Sequence, residues 1–175
     1  MILGRLSVVL FSILVAFGPS AIFGGNYWIN SFGSTGESEF GKDIVVDDNY
    51  VYVIGTFQGM VAFDMSDVGY LTATGTYDAY LAKYNLSGGD LLWVKSLGIV
   101  NGGGKGYDIS VDVSGNIYAA GTIYASSSAS GYDFKFFKYD ANGNLLWSKT
   151  LSADNIIDEA NITGITPAVF TFRGK

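Results

Sequence analysis

Gly41-Lys-Asp-Ile-Val-Val-Asp47 followed by Val51-Tyr-Val-Ile-Gly-Thr56 returns as Gly106-Tyr-Asp-Ile-Ser-Val-Asp112 followed by Ile117-Tyr-Ala-Ala-Gly-Thr122. This self-match decides the fold, because a fixed internal period is the signature of a repeat architecture. The offset is 65 for the first piece and 66 for the second. Further along, Tyr77-Asp-Ala-Tyr-Leu-Ala-Lys-Tyr-Asn85 returns as Tyr132-Asp-Phe-Lys-Phe-Phe-Lys-Tyr-Asp140 at 55, and Leu91-Leu-Trp-Val-Lys-Ser96 returns as Leu145-Leu-Trp-Ser-Lys-Thr150 at 54. The drop in offset locates one insertion, between Thr56 and Asp78 of the first copy. Trp28, Trp93 and Trp147 close successive units.

Each copy carries four strand-like runs. In the second they are Tyr107 to Asp112, Ile117 to Ile123, Asp133 to Tyr139 and Leu145 to Leu151, with Ser114-Gly-Asn116 and Asn142-Gly-Asn144 as tight hairpin turns. The run Asp78 to Tyr84 is apolar on both faces, Ala79 and Leu81 on one, Tyr80, Ala82 and Tyr84 on the other, so both faces need cover. Four-stranded antiparallel sheets covered on both sides and repeated at this spacing predict an all-β fold of β-propeller blades, at roughly 41–97 and 106–151. Propellers close with about four to eight blades, so residues 25–157 spell a partial, unclosed ring. Residues 158–175 read as the degenerate or truncated start of a further blade. Gly55 and Gly121, like Asp47 and Asp112, occupy matching structural positions of the two copies.

The pieces GKDIVVDDNYVYVIGTF, GMVAFD, LTATGTYDAYLAKYN and LLWVKSLG resemble the bacterial β-propeller repeat known as SBBP over roughly Tyr27 to Leu151. The stretch V-D-x-x-G-N-x-Y is also similar to NHL-type repeats. The SBBP resemblance implies an exported or cell-surface scaffold for binding or surface architecture, and it brings no catalytic residues with it. A truncated gene product without independent function is a further alternative.

Composition narrows the chemistry. The 175 residues include no Cys and no His, which removes disulfides, thiolate nucleophiles, imidazole-based triads and Cys/His metal sites. Lys+Arg 10 against Asp+Glu 16, a net charge of −6, is the wrong sign for gripping a phosphate backbone, so nucleic acid is not an expected partner. Met1 to Arg5 carries one positive charge, Leu6 to Phe17 is apolar apart from Ser7 and Ser12, and Gly18-Pro-Ser-Ala21 follows. This tripartite pattern predicts that residues 1–24 are a helical signal peptide, with an uncleaved membrane anchor as the alternative. The expected compartment is extracellular, cell-surface or periplasmic.

The enzyme expectation is negative; a carboxylate-dependent glycan hydrolase or lyase is the alternative, since it needs only two acids. No cofactor or metal is expected, and calcium at a hairpin such as Asp140-Ala-Asn-Gly-Asn144 is the weaker reading beside a plain turn. The candidate binding residues are Asp64, Asp67, Tyr70, Tyr77, Tyr124 and Tyr132, in or beside the loops of unequal length, where tyrosines can stack on sugars or apolar rings. The chain itself, or further blades, is the expected partner, with a surface glycan or protein as ligand, because end sheets would otherwise leave apolar faces in water.

Overall fold

The computed structural model describes residues 11–16, 27–33, 37–63, 69–98, 103–124 and 131–151. Every regular element among them is a β-strand, and all pairings are antiparallel. The first four-stranded sheet takes β3 (Phe40–Val46), β4 (Tyr50–Phe57), β7 (Asp78–Asn85) and β8 (Leu91–Ser96), in that order. The second takes β9 (Gly104–Val111), β10 (Ile117–Tyr124), β11 (Tyr132–Tyr139) and β12 (Leu145–Leu151) in the same order. Among the described residues no sheet closes on itself.

The two sheets match in detail. Each has an irregularity between its first two strands, beside Gly41/Asp43 in one and beside Ala120/Gly121 in the other, which leaves Lys42 and Tyr107 unpaired. Each has another between its last two, at Lys83/Tyr84 and at Lys138/Tyr139. A bulge adds one residue to one strand and sharpens the twist, so matching bulges give the two sheets matching shapes.

The hairpin turns form for local reasons. Asp47 Oδ1 accepts from the Asn49 and Tyr50 amides at 2.8 and 2.7 Å, and Oδ2 accepts from the Tyr52 hydroxyl at 2.8 Å. Asp112 holds the Ser114 and Asn116 amides, the Asn116 side chain and the Tyr118 hydroxyl in the same manner. Asp140 does so with Asn142 and Asn144. Gly115 and Gly143 take φ of +78°, a conformation a side chain would strain. All three turns lie at one end of the sheets.

The main core lies between the sheets. Tyr52, Ile54, Ala79, Leu81 and Leu97 from the first meet Ile109, Ile117, Ala119, Phe137 and Tyr139 from the second. Each large side chain buried there contributes about 1.5–3 kcal/mol. A second cluster covers the opposite face of the first sheet, and its cover is local. Residues of the insertion form a two-stranded hairpin, β5 (Met60–Ala62) with β6 (Tyr70–Thr72). Val61, Phe63 and Leu71 from this hairpin region and Phe32 join Val51, Val53, Phe57, Tyr80, Ala82 and Tyr84. The first sheet is thereby sandwiched, and β7 is buried from Asp78 to Tyr84 as its two-faced pattern requires.

Two sequence expectations meet a different arrangement. Phe11–Ala16, inside the run read as a signal helix, is extended as β1 and pairs with β2 (Tyr27–Phe32) from Phe11↔Phe32 to Ala16↔Tyr27. The β-branched Ile13 and Val15 suit a strand, and β2 supplies the main-chain partners. Strand β2, expected to close a preceding blade, therefore has β1 as its neighbour. Among the described residues no helix is long and apolar enough to cross a membrane.

Candidate functional site

The end of the sheets opposite the aspartate turns carries the longer connections. There Gly104 N donates to Tyr77 O at 2.6 Å, and Tyr124 N donates to Gly103 O at 3.0 Å. The segment before β9 thus ties the end of the insertion to the top of β10. Tyr124 pairs with Tyr132 across the β10–β11 hairpin, and their rings meet edge to face at 5.7 Å between centroids. Both remain nearly half exposed, at 46% and 45%. Lys105 Nζ stands 5.7 Å from the centre of the Tyr77 ring. A half-exposed aromatic pair suits the flat apolar face of a sugar or an aromatic side chain, and the Lys105 ammonium by Tyr77 favours an acidic group.

Tyr70, half exposed at the start of β6, lies on the hairpin opposite Ala62. Asp64 and Asp67 fall outside the described residues. The structure thus links Tyr77, Tyr124 and Tyr132 along one edge, and Lys105 is the member that sequence reasoning missed. Its signal was the adjacency of a lysine to the repeat landmark at Gly106, which carries no meaning until the strand is placed.

Part of the insertion read as a binding loop performs a packing task, since Val61 and Phe63 are 0% and 1% exposed beneath it. Two carboxylates lie in the interior: Asp78 is fully buried, with Oδ2 accepting from the Thr74 amide at 2.8 Å and the Thr74 hydroxyl at 3.1 Å, and Glu39 is 4% exposed. Burial, with Tyr84 and Glu39 nearby, pushes the Tyr80 phenol well above its ordinary value. Among the described residues no group of three or more acidic side chains comes together to hold a metal ion.

The repeat landmarks turn out to join the sheets. Asp43 Oδ2 accepts from the Ile109 amide in the second sheet at 3.0 Å, while Oδ1 accepts from its own neighbour Ile44 at 2.8 Å. Lys83, 4% exposed, reaches across to the Ala141 carbonyl at 2.8 Å and lies over the Tyr50 ring at 3.7 Å. Its burial lowers the ammonium pKa, outweighing the opposing pull of Asp47 and Asp140. Gly143, in the same turn as Ala141, lies so close to Trp93 that a Cβ there would stand 3.0 Å from Cε2. Trp93 is thus partly buried against the inter-sheet core, and Trp147 holds the corresponding place on the second sheet. Trp28 lies in β2, opposite Val15.

Fold and site together define an all-β chain of antiparallel sheets with a tyrosine-lined edge. Comparison with known proteins finds no family whose sequence pattern matches this chain and no curated protein that matches it.

Proposed function

We propose that this chain is an exported, non-catalytic β-propeller repeat protein, or a portion of a longer one, that serves as a binding or structural scaffold at the cell surface or outside the cell. The observation that carries the reading is the face-to-face stacking of two matching sheets through Asp43–Ile109, Lys83–Ala141 and Trp93–Gly143. Asp43, Lys83 and Trp93 each recur in the second copy, as Asp108, Lys138 and Trp147. Blades of a propeller stack in this manner, each using the same residues to hold the next. The SBBP resemblance agrees with that arrangement, and the charged start and apolar run of residues 1–24 favour export.

On this reading the tyrosine edge is the ligand-facing part, and its chemistry fits a glycan or an apolar protein segment. A glycan array probed with the purified chain tests it: binding without turnover is expected, and turnover abolished by one carboxylate substitution with folding intact would overturn it. Cell fractionation tests the compartment, with the chain expected in the surface or extracellular fraction.

A further inference from the structure

Residues that hold the sheets together recur between the copies, so a position where the copies differ in chemical kind calls for another explanation. Two such positions meet at the tyrosine edge. Lys105 and Phe40 take the same place in their sheets, Lys105 opposite Thr122 and Phe40 opposite Thr56. Two residues beyond those threonines stand Tyr124 in the second copy and Gln58 in the first. The first copy therefore has neither the cation nor the tyrosine at this level.

The two departures are neighbours. Side chains two residues apart on a strand share a face, so Tyr124 lies on the side of Thr122 and of Lys105 opposite it. Diagonal neighbours of this kind stand about 7–8 Å apart, within reach of long side chains. The bond from Tyr124 N to Gly103 O, at 3.0 Å, holds the two strands together up to this point. Tyr132 faces Tyr124 across the hairpin, and the Tyr77 ring lies 5.7 Å from Lys105 Nζ on its other side chain contact. Among the described residues the Lys105 charge meets that ring and no carboxylate.

A chain of net charge −6 repels anions over most of its surface, and Asp47, Asp112 and Asp140 hold their turns at the opposite end of the sheets. An unneutralised ammonium at this edge makes it the place where a negative group is held. The tyrosines add apolar ring faces rimmed by hydroxyls, which match the C–H face and hydroxyl rim of a sugar. An apolar protein segment would cover those hydroxyls and the ammonium without giving them partners, at a cost in desolvation. We infer, resting on the ligand-facing reading of this edge, that its ligand is an acidic glycan: a sugar ring stacks on the Tyr124–Tyr132 pair and its carboxylate pairs with Lys105 Nζ.

An array of oligosaccharides printed in matched pairs, each uronic acid beside its methyl ester, tests this with the full-length chain. The free acid should bind at least about threefold tighter than its ester at low salt, as an exposed ion pair allows. That preference should vanish at about 1 M salt, where the screening length is about 3 Å. Lys105→Gln should abolish the preference while affinity for the ester stays within about twofold, and Lys105→Arg should keep it. Should Lys105→Gln fail to fold, Lys105→Arg and the salt dependence of the unaltered chain decide. Equal binding of acid and ester would overturn the inference and leave a glycan-binding edge standing. A preference that survives Lys105→Gln would assign the acid to another cation and overturn it too. Binding to no glycan, or to an acidic peptide alone, would overturn both the inference and the glycan reading of the edge.

Discussion

Lys83 Nζ donates to the Ala141 carbonyl at 2.8 Å, joining a strand of one sheet to a hairpin turn of the next across 58 residues of sequence. The lysine is buried, and Tyr50 lies beneath its charge at 3.7 Å. Its counterpart Lys138 stands over Tyr118 at 4.8 Å and is only partly buried. Replacing Lys83→Met removes a charge-assisted bond and orphans a carbonyl, with an expected loss of about 2–3 kcal/mol. Lys138→Met should cost less than about 1 kcal/mol. Urea unfolding of the two variants, monitored side by side, checks the asymmetry; equal losses would contradict the inter-sheet role.

Phe63 tests the covering hairpin. It is 1% exposed and packs on Phe32 and Tyr80 with centroids 4.7 Å apart in each case. Phe63→Ala should destabilise by about 3–5 kcal/mol, whereas Met60→Ser, on the outer side of the same hairpin at 61% exposure, should stay within about 0.5 kcal/mol. Thermal denaturation distinguishes a packed cover from a surface loop, for which both changes would be mild.

Gly106 marks a close approach of the sheets, since a Cβ there would stand 2.7 Å from both the Gly55 carbonyl oxygen and Ile54 Cγ1. Gly106→Ala should push the sheets apart at a cost of about 1–3 kcal/mol. The measurement is the denaturant midpoint together with exchange at the Ile109 amide, which should quicken as the Asp43 contact lengthens.

Acid should weaken the turns. Burial alone would raise the Asp112 carboxyl, but hydrogen bonds from Asn116, Ser114 and Tyr118 outweigh it and hold the group below its ordinary 3.8. The Asn144 side chain and amide do the same for Asp140. A carboxyl lowered in the folded state adds stability that is complete above its ordinary value and is lost as pH falls through the lowered one. Urea midpoints should therefore decline below pH 3.8, and Asp112→Ala should flatten that decline. In base the sign reverses: burial raises Tyr139 from 10.0 to about 12, so its contribution is complete below 10.0 and fades as pH rises toward 12.

At the tyrosine edge, Tyr124→Ala with Tyr132→Ala should leave stability within about 1 kcal/mol, because both rings are nearly half exposed. Binding to any glycan found on the array should fall at least about tenfold, a loss near 1.4 kcal/mol, measured by titration calorimetry. Unchanged affinity would move the ligand site elsewhere.

The strands and turns were legible in the amino-acid sequence because their causes are local. Asp112 through Asn116 closes its own hairpin with hydrogen bonds spanning at most a few residues, and the apolar run from Ile117 to Gly121 is buried on both faces, as a strand without polar alternation requires. The pairing of the two copies by repeat was legible for the same reason, as each copy spells the same local instructions. Which residues join the sheets was not. Nothing local marks Asp43 for this task, and only the packed sheets bring it to the Ile109 amide 66 residues away. The insertion was equally ambiguous: its length suggested a ligand loop, while its Val61, Phe63 and Leu71 go to cover the first sheet. Composition along a chain states that apolar groups must leave water, and tertiary packing alone decides against which surface they do so.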